Sequence, residues 1–413
     1  MSMDESVVMA VDVGTTKICT LVARLDSAGQ VHILGAGVEP SLGVRKGVVV
    51  DLRSAVQAIG RSIDKAERTS GLEIHSALVS LSGSQVSSVN NRGVVGISGG
   101  VVDEEDVARA IESARAIALP HNREILHVVQ RGFNIDGQDG IRTPLGMHGY
   151  RLEVETHIIM AAAGTVENLR QGMADSGVEV TQFVLNPLAS GEAVLTDTER
   201  QMGVVVCDIG GGTTDFALYI EGDVWHTAVL PVGGQYVTSD IAHGLRLPVE
   251  QAEEIKKQHG HAVEKEIPAG EAFQVRPFGQ DQPVQVQRAE LAHIIEARME
   301  EIFELIGQEI KRSGYDGLLP AGVVVTGGAS LLPGTRTLAA RVLNLPVRLA
   351  KPENLTGMTD KLQSPIFSTA VGLVRWSALM NEFSPKGRGK RSLGGDGNPN
   401  WARVKDILRR LLP

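Results

Sequence analysis

One design occurs twice in this chain, and it restricts the fold more than any other feature. Residues 9–24 read MAVDVGTTKICTLVAR, and residues 204–222 read VVVCDIGGGTTDFALYIEG. Each is an apolar strand, a turn rich in Gly and Thr, and a second apolar strand. A repeated unit of this kind points to two lobes of related fold. A length of 413 residues is likewise too great for one ordinary core.

The turns carry chemistry as well as geometry. Glycine-rich turns after buried strands present backbone N–H groups that can cradle phosphate oxygens. Three such turns occur: DVGTTK at 12–17, DIGGGTTD at 208–215 and TGGAS at 326–330. Gly14, Gly210, Gly211, Gly212, Gly327 and Gly328 give close backbone approach, and Ala329 and Ser330 complete the third turn. Thr15, Thr16, Thr213 and Thr214 add hydroxyls, and Lys17 adds a positive charge. Asp12, Asp208 and Asp215 are carboxylates of the kind that hold hydrated Mg²⁺. None of the turns fits GxxxxGK[ST], so this is not a P-loop. Taken singly, each is also an ordinary tight hairpin; the pairing of two on matching strands is what favours the phosphate reading.

Composition narrows the class. Hydrophobic residues make up 42% of the chain, enough for real cores. The net charge of −9 argues against a nucleic-acid-binding protein. Cys19 and Cys207 lie inside apolar runs with no CxxC pairing, so the sequence predicts neither a disulfide framework nor a thiolate metal cluster. No secretory signal precedes the first strand, and no apolar run approaches the roughly 18–20 residues that span a bilayer.

Further elements follow from pattern. Helices are expected over residues 53–70, ending at Gly71, and from an Asp103 N-cap to about residue 118, ended by Pro120. Others are expected at 250–260, 289–313 and 367–379, with strands at 124–133, 151–161 and 323–326. Residues 384–400, SPKGRGKRSLGGDGNPN with the final Asn, read as a linker.

These residues carry a family resemblance. The paired hairpins resemble those of the actin, sugar-kinase and DnaK-type chaperone superfamily, which implies a two-lobe α/β fold with ATP and Mg²⁺ in the cleft between lobes. Gly233 and Gly234, then Asp240, are similar to the superfamily's GG-x-x-x-x-x-D element at a helix start. Residues 252–256, AEEIK, resemble a stretch of the bacterial actin MreB, which implies Glu253 and Lys256 as ribose and adenine contacts. Residues 323–330 resemble the adenosine motif.

The place that positions the attacking water in related ATPases falls, by alignment on Pro187, at Asn186. Asparagine is short and cannot act as a base, so ATP binding with at most slow ATPase activity is expected. No catalytic residue is otherwise assigned.

Three stretches select a branch. SLSGSQVSSVNNRGVV at 80–95, GVRKGVVVD at 43–51 and the C-terminal tail resemble the FtsA family closely. The resemblance implies a first lobe at 1–200 with an inserted α/β subdomain at about 81–164. It implies a second lobe at 201–383, with its upper part at about 235–315, then the 384–400 linker and a 401–413 membrane-targeting helix. Two other branches stay open: a sugar or acetate kinase and a pilus-assembly actin-like module.

On a helical wheel Trp401, Val404, Ile407, Leu408, Leu411 and Leu412 fall within an arc of about 140°. Arg403, Arg409 and Arg410 lie on the opposite, basic face. That pattern suits a helix lying in the interface of an anionic membrane; a terminal helix docked on its own protein has the same pattern. The family resemblance further implies self-association into filaments, a place on the cytoplasmic face of the inner membrane at the division site, other division proteins as partners, and binding of the tail of the tubulin-like FtsZ. Arg298, with Glu301 beside it, is the candidate contact for that acidic tail, and a solvated pair of helical charges is the plainer alternative.

Overall fold

The structure, a computed structural model, describes residues 6–25, 30–359 and 362–382. The expected linker and terminal helix at 384–413 lie outside the described residues.

The repeat seen in the sequence is a repeat of sheets. In the first lobe Ser6–Val13 pairs antiparallel with Lys17–Leu25, which pairs antiparallel with Val31–Pro40. On the other side of Ser6–Val13 lie Ser76–Leu81 and then Glu179–Leu185, both parallel. The second lobe has the same order. Val204–Ile209 pairs with Thr214–Ile220 and then Asp223–Leu230, while Gly322–Thr326 and Val347–Leu349 run parallel on its other side. The central strands are buried on both faces, which is why they read as unbroken apolar runs.

Helices cover these sheets at close range. Leu52–Ser70 starts at Asp51, whose side chain accepts from the N–H groups of Arg53 and Ser54, and ends on left-handed Gly71. It packs on Val31–Pro40 so closely that a Cβ at Gly37 would lie 1.8 Å from the Ser62 carbonyl oxygen. The helix capped by Asp103 carries the expected acidic first turn and a reciprocal capping box with Asp106. It ends at Arg115, earlier than expected, because Ala116 already leaves the helical conformation before Pro120 is reached.

The inserted subdomain is a four-stranded antiparallel sheet in the order Ser87–Gly96, Arg151–Ala162, Arg123–Ile135, Gln138–Ile141. Val107 and Ile111 of the helix Glu104–Arg115 pack on one face, in a small core with Val154 and Ile158. Its other face meets the second lobe. Ser88 donates to the Thr227 carbonyl at 3.0 Å, His157 bonds Thr227 at 2.9 Å, and Arg131 lies 3.8 Å over the Trp225 ring.

The end of the described chain returns to the first lobe. Leu355–Gly357 adds a parallel strand beside Val31–Ile33. The helix Ser368–Glu382 crosses the helix Asn186–Val194, where a Cβ at Gly372 would lie 1.7 Å from the Ala189 carbonyl oxygen. One apolar core therefore joins Leu21 of the first sheet, Val206 of the second and Val374 of this helix. Sequence order alone places 355–382 with the second lobe. The apolar face of Ser368–Glu382 is covered instead mainly by the helix Asn186–Val194 and the first sheet, and that burial decides its place.

Candidate functional site

Both hairpins close in the same way. The Gly14 N–H donates to the Lys17 carbonyl at 3.0 Å, and the Gly210 N–H donates to the Thr213 carbonyl at 2.9 Å. Thr15, Thr16, Gly211 and Gly212 form the tips, outside the strand ladders. The tips meet. A Cβ on Gly211 would lie 2.3 Å from Thr16 Cγ2, and one on Gly212 would lie 2.7 Å from Thr15 Oγ1. The Gly47 N–H also donates to Thr15 Oγ1 at 3.1 Å.

The second hairpin seats the helix Gly234–Leu245. The N–H groups of Gly234 and Gln235 donate to the Gly210 and Gly211 carbonyls at 2.9 and 2.8 Å. A Cβ on Gly233 would lie 2.6 Å from the Gly210 oxygen, so only glycine permits this approach. Thr214 is committed to the fold, its hydroxyl donating to the Val232 carbonyl at 2.8 Å.

Each predicted carboxylate has its own holder. Asp12 accepts from Lys17 Nζ at 2.8 Å and from the Ser80 hydroxyl at 3.0 Å. Burial works against the Lys17 charge, but Asp12, Cys19 and Asp208 together outweigh it and the lysine pKa lies above its ordinary value. Asp208 accepts from Thr369 at 2.9 Å, and Asp215 from Ser82 at 2.5 Å and Thr213 at 2.9 Å. Burial pushes the Asp208 carboxyl up to about 6 and that of Asp215 up to about 7, against the opposing hydroxyl bonds. Among the described residues no group of three or more His, Cys, Asp or Glu is placed to hold a metal ion directly.

Glu253 and Lys256 form an ion pair of 2.6 Å on the helix Val249–His259. Lys256 Nζ also donates to the Gly234 carbonyl at 3.1 Å and to Thr238 at 2.7 Å, which brings the pair to the second hairpin. Burial lowers the Lys256 pKa despite its partner. The third turn closes the group. Gly327, at φ +87°, has no room for a Cβ, which would lie 2.4 Å from Asp208 Oδ1. Gly328, Ala329 and Ser330 continue it as a short 3-10 turn, with Ala329 against Gly234.

Asn186 is buried at the start of the helix Asn186–Val194, and its Oδ1 has no hydrogen-bond partner. Its carbonyl accepts from the Ser190 hydroxyl at 3.0 Å.

Asp240 is carried away from this group by its helix and pairs with Arg298 at 2.5 Å. Arg298 also binds Glu301. The candidate partner residues are thus together, with the guanidinium already held by two carboxylates.

Ser80, Ser82, Ser190 and Thr369 escape sequence reading. Ser80 and Ser82 alternate within a single strand end, a weak signal, and Thr369 has none, because it reaches Asp208 across 161 residues.

Comparison with known proteins follows the same lines. The family model described as cell division protein FtsA matches residues 205–372, and that of the SHS2 domain inserted in FTSA matches residues 83–160. The chain is similar to the cell division protein FtsA of Pseudomonas aeruginosa, 42% identical over 369 residues that cover 89% of this chain and 88% of that one. It is 38% identical over 401 residues to the Escherichia coli K12 protein of the same name, covering 95% and 96%. Among solved structures it resembles the PilM–PilN type IV pilus biogenesis complex, with a TM-score of 0.64, 17% identity and coverage of 89% and 97%. It also resembles MreB5 of Spiroplasma citri bound to ADP, with a TM-score of 0.56, 14% identity and coverage of 93% and 99%. At such identities the structural likenesses speak for the fold alone, which is the two-lobe actin-like ATPase fold with an inserted subdomain.

Proposed function

The chain belongs to the FtsA family of cell division proteins, and from that premise we propose that it is an ATP-binding, actin-like scaffold that polymerises, ties FtsZ filaments to the cytoplasmic membrane at the division site and recruits later division proteins. The observation that carries the nucleotide reading is the meeting of the two glycine tips, one from each lobe, at Gly211–Thr16 and Gly212–Thr15. Side chains at Gly211, Gly212, Gly233 or Gly327 would fill the space that brings these backbones together. The orphaned Asn186 Oδ1 adds a buried acceptor that suits a water or ligand donor. The residues therefore fit ATP–Mg²⁺. Tip amides, that of Thr213 among them, and the Thr15 and Thr16 hydroxyls would hold phosphate oxygens, and Lys17 would balance their charge, while the Thr213 hydroxyl stays with Asp215. Asp12, Asp208 and Asp215 hold the cation through water. Glu253 and Lys256 take the ribose and adenine, beside the turn 327–330. Bound there, ATP–Mg²⁺ would be held by residues of both lobes.

Hydrolysis is slow in this reading, since Asn186 orients water without accepting its proton. The nucleotide then acts as a conformational ligand for a polymer more than as a substrate.

Membrane attachment is assigned to residues 401–412, on the Trp/Leu and Arg faces described above. Among the described residues no helix is long and apolar enough to cross a bilayer. The test is co-sedimentation of the full chain with anionic liposomes and FtsZ, against a chain lacking 384–413 and against Trp401→Glu with Leu408→Glu. Both altered chains should stay in the supernatant and leave FtsZ there. Undiminished sedimentation of either would remove residues 401–412 as the anchor.

A further inference from the structure

A cavity of about 270 Å³, lined by none of the hairpin-tip residues, opens where three parts of the molecule meet. Its apolar walls are Leu188 of the helix Asn186–Val194, Val224 of the second lobe, and Trp376 and Leu379 of the helix Ser368–Glu382. Glu192 and Asp223 stand at its edge. The space is smaller than a typical small-molecule site and suits one large apolar side chain of a peptide.

We propose that this cavity is the resting dock of the chain's own residues 401–412, so that the apolar face which enters the membrane is sheltered on the protein when no membrane is present. This rests on the reading of 401–412 as an amphipathic membrane segment. Three observations commit the dock to that occupant. The helix Ser368–Glu382 carries Trp376 and Leu379 of the cavity wall, so residues 383–413 follow in sequence directly on an element of that wall. The 17 residues 384–400 are enough for the following segment to turn back onto the cavity, since each extended residue spans about 3.3 Å. Charge agrees. Residues 383–413 hold eight Lys and Arg against two Asp, yet the whole chain carries −9, so a basic tail is joined to an acidic body. At the cavity, Arg200 is already paired with Glu192 at 2.6 Å, while Asp197 is exposed and Asp223 meets Arg142 only at 3.9 Å. Burial lifts the Asp223 carboxyl to about 6, against the opposing pull of Arg142 and Arg131. A Trp or Leu anchor with flanking Arg side chains meets both requirements of the site. Lipid and cavity then compete for one apolar face, and the membrane affinity of the free protein is held below that of the bare segment.

The experiment uses the full chain with Gln201→Cys at the exposed cavity rim and Leu408→Cys in the tail. The native Cys19 and Cys207 are fully buried, with thiol pKa values pushed up by burial, and do not compete. A short bismaleimide should link the two new thiols within one chain, and anionic phosphatidylglycerol vesicles should suppress the link several-fold. Linking no faster than for a Glu112→Cys, Leu408→Cys control on the far face of the inserted subdomain overturns the proposal. So does linking found only between two chains. A second variant, Asp197→Lys, weakens the rim attraction without entering the core. It should bind vesicles about threefold more tightly than the parent, the effect of one exposed charge pair, and unchanged or weaker binding counts against the dock. Failure of the membrane reading itself shows separately: the Trp401→Glu, Leu408→Glu chain would then sediment like the parent, whatever the cross-link reports.

Discussion

Arg298 grips Asp240 with two prongs, Nε to Oδ2 at 2.5 Å and Nη2 to Oδ1 at 3.1 Å, and so ties the helix Arg288–Ser313 to the helix Gly234–Leu245. The first of these helices is the candidate surface for an acidic partner. The second starts on the second hairpin tip. An acidic ligand of Arg298 must therefore compete with an internal carboxylate. Asp240→Asn should strengthen binding of an FtsZ-tail peptide several-fold, and Arg298→Ala should weaken it, both read by fluorescence anisotropy. Weaker binding in Asp240→Asn would show that the pair presents the helix instead of masking its charge. Arg298→Ala should cost about 1 kcal/mol of stability, since the pair is charge-assisted yet partly exposed.

Glycine at the contacts between turns is a steric requirement. Gly212→Val sets side-chain atoms against Thr15, and Gly327→Ala forces a Cβ onto Asp208 and the Ile209 carbonyl at a φ of +87°. Gly212→Val should abolish ATP affinity in equilibrium binding while leaving the melting temperature nearly unchanged, because the Thr15 side chain can move. Gly327→Ala should lose about 1–3 kcal/mol of stability as well, since it presses on backbone. Wild-type ATP affinity in Gly212→Val sinks the site.

Asp215 gives the protein a pH signature. Its folded pKa of about 7 lies above the ordinary value for an exposed aspartate, because burial outweighs the bonds from Ser82 and Thr213. A raised carboxyl contributes stability that is fully present below about pH 4 and is lost as pH rises through about 7. Asp215→Asn should therefore melt higher than the parent at pH 8, by an amount on the order of a few kcal/mol, with the difference fading near pH 4. Mg²⁺ with ATP should recover the parent's stability at pH 8 and do little for the variant. A pH-independent difference between the two would show that Asp215 ionises normally in the fold.

Asn186 combines a buried position with an unpaired Oδ1. Asn186→Leu removes the orphan and should stabilise the nucleotide-free protein by about 1 kcal/mol in urea melts. The same change should lower an ATP turnover that is already far below the ~10 s⁻¹ typical of enzymes. Equal turnover in the two proteins would take Asn186 out of water positioning.

Much of this was legible in sequence because it is local. Strand, glycine turn and strand follow one another within about twenty residues, and steric limits on φ and ψ make such a turn readable wherever it stands. The repeat of that unit already implied two related sheets, and the Asp51 and Asp103 caps needed only their own neighbours. The apolar and basic faces of 401–412 belong to sequence in the same sense, since wheel positions depend on spacing alone. Tertiary structure decided what depends on distant partners. Which carboxylates are held, and by what, rests on Ser80, Ser82 and Thr369, brought to Asp12, Asp215 and Asp208 across 68, 133 and 161 residues. The capture of Arg298 by Asp240 spans 58 residues and has no local signature. The return of Ser368–Glu382 to the first lobe is of the same kind: its apolar face packs on the helix Asn186–Val194, with Gly372 close against Ala189, and on strands of the first sheet, all far away in sequence. Local spacing encodes the shape of each piece, whereas burial free energy, summed over surfaces far apart in the chain, encodes which pieces meet.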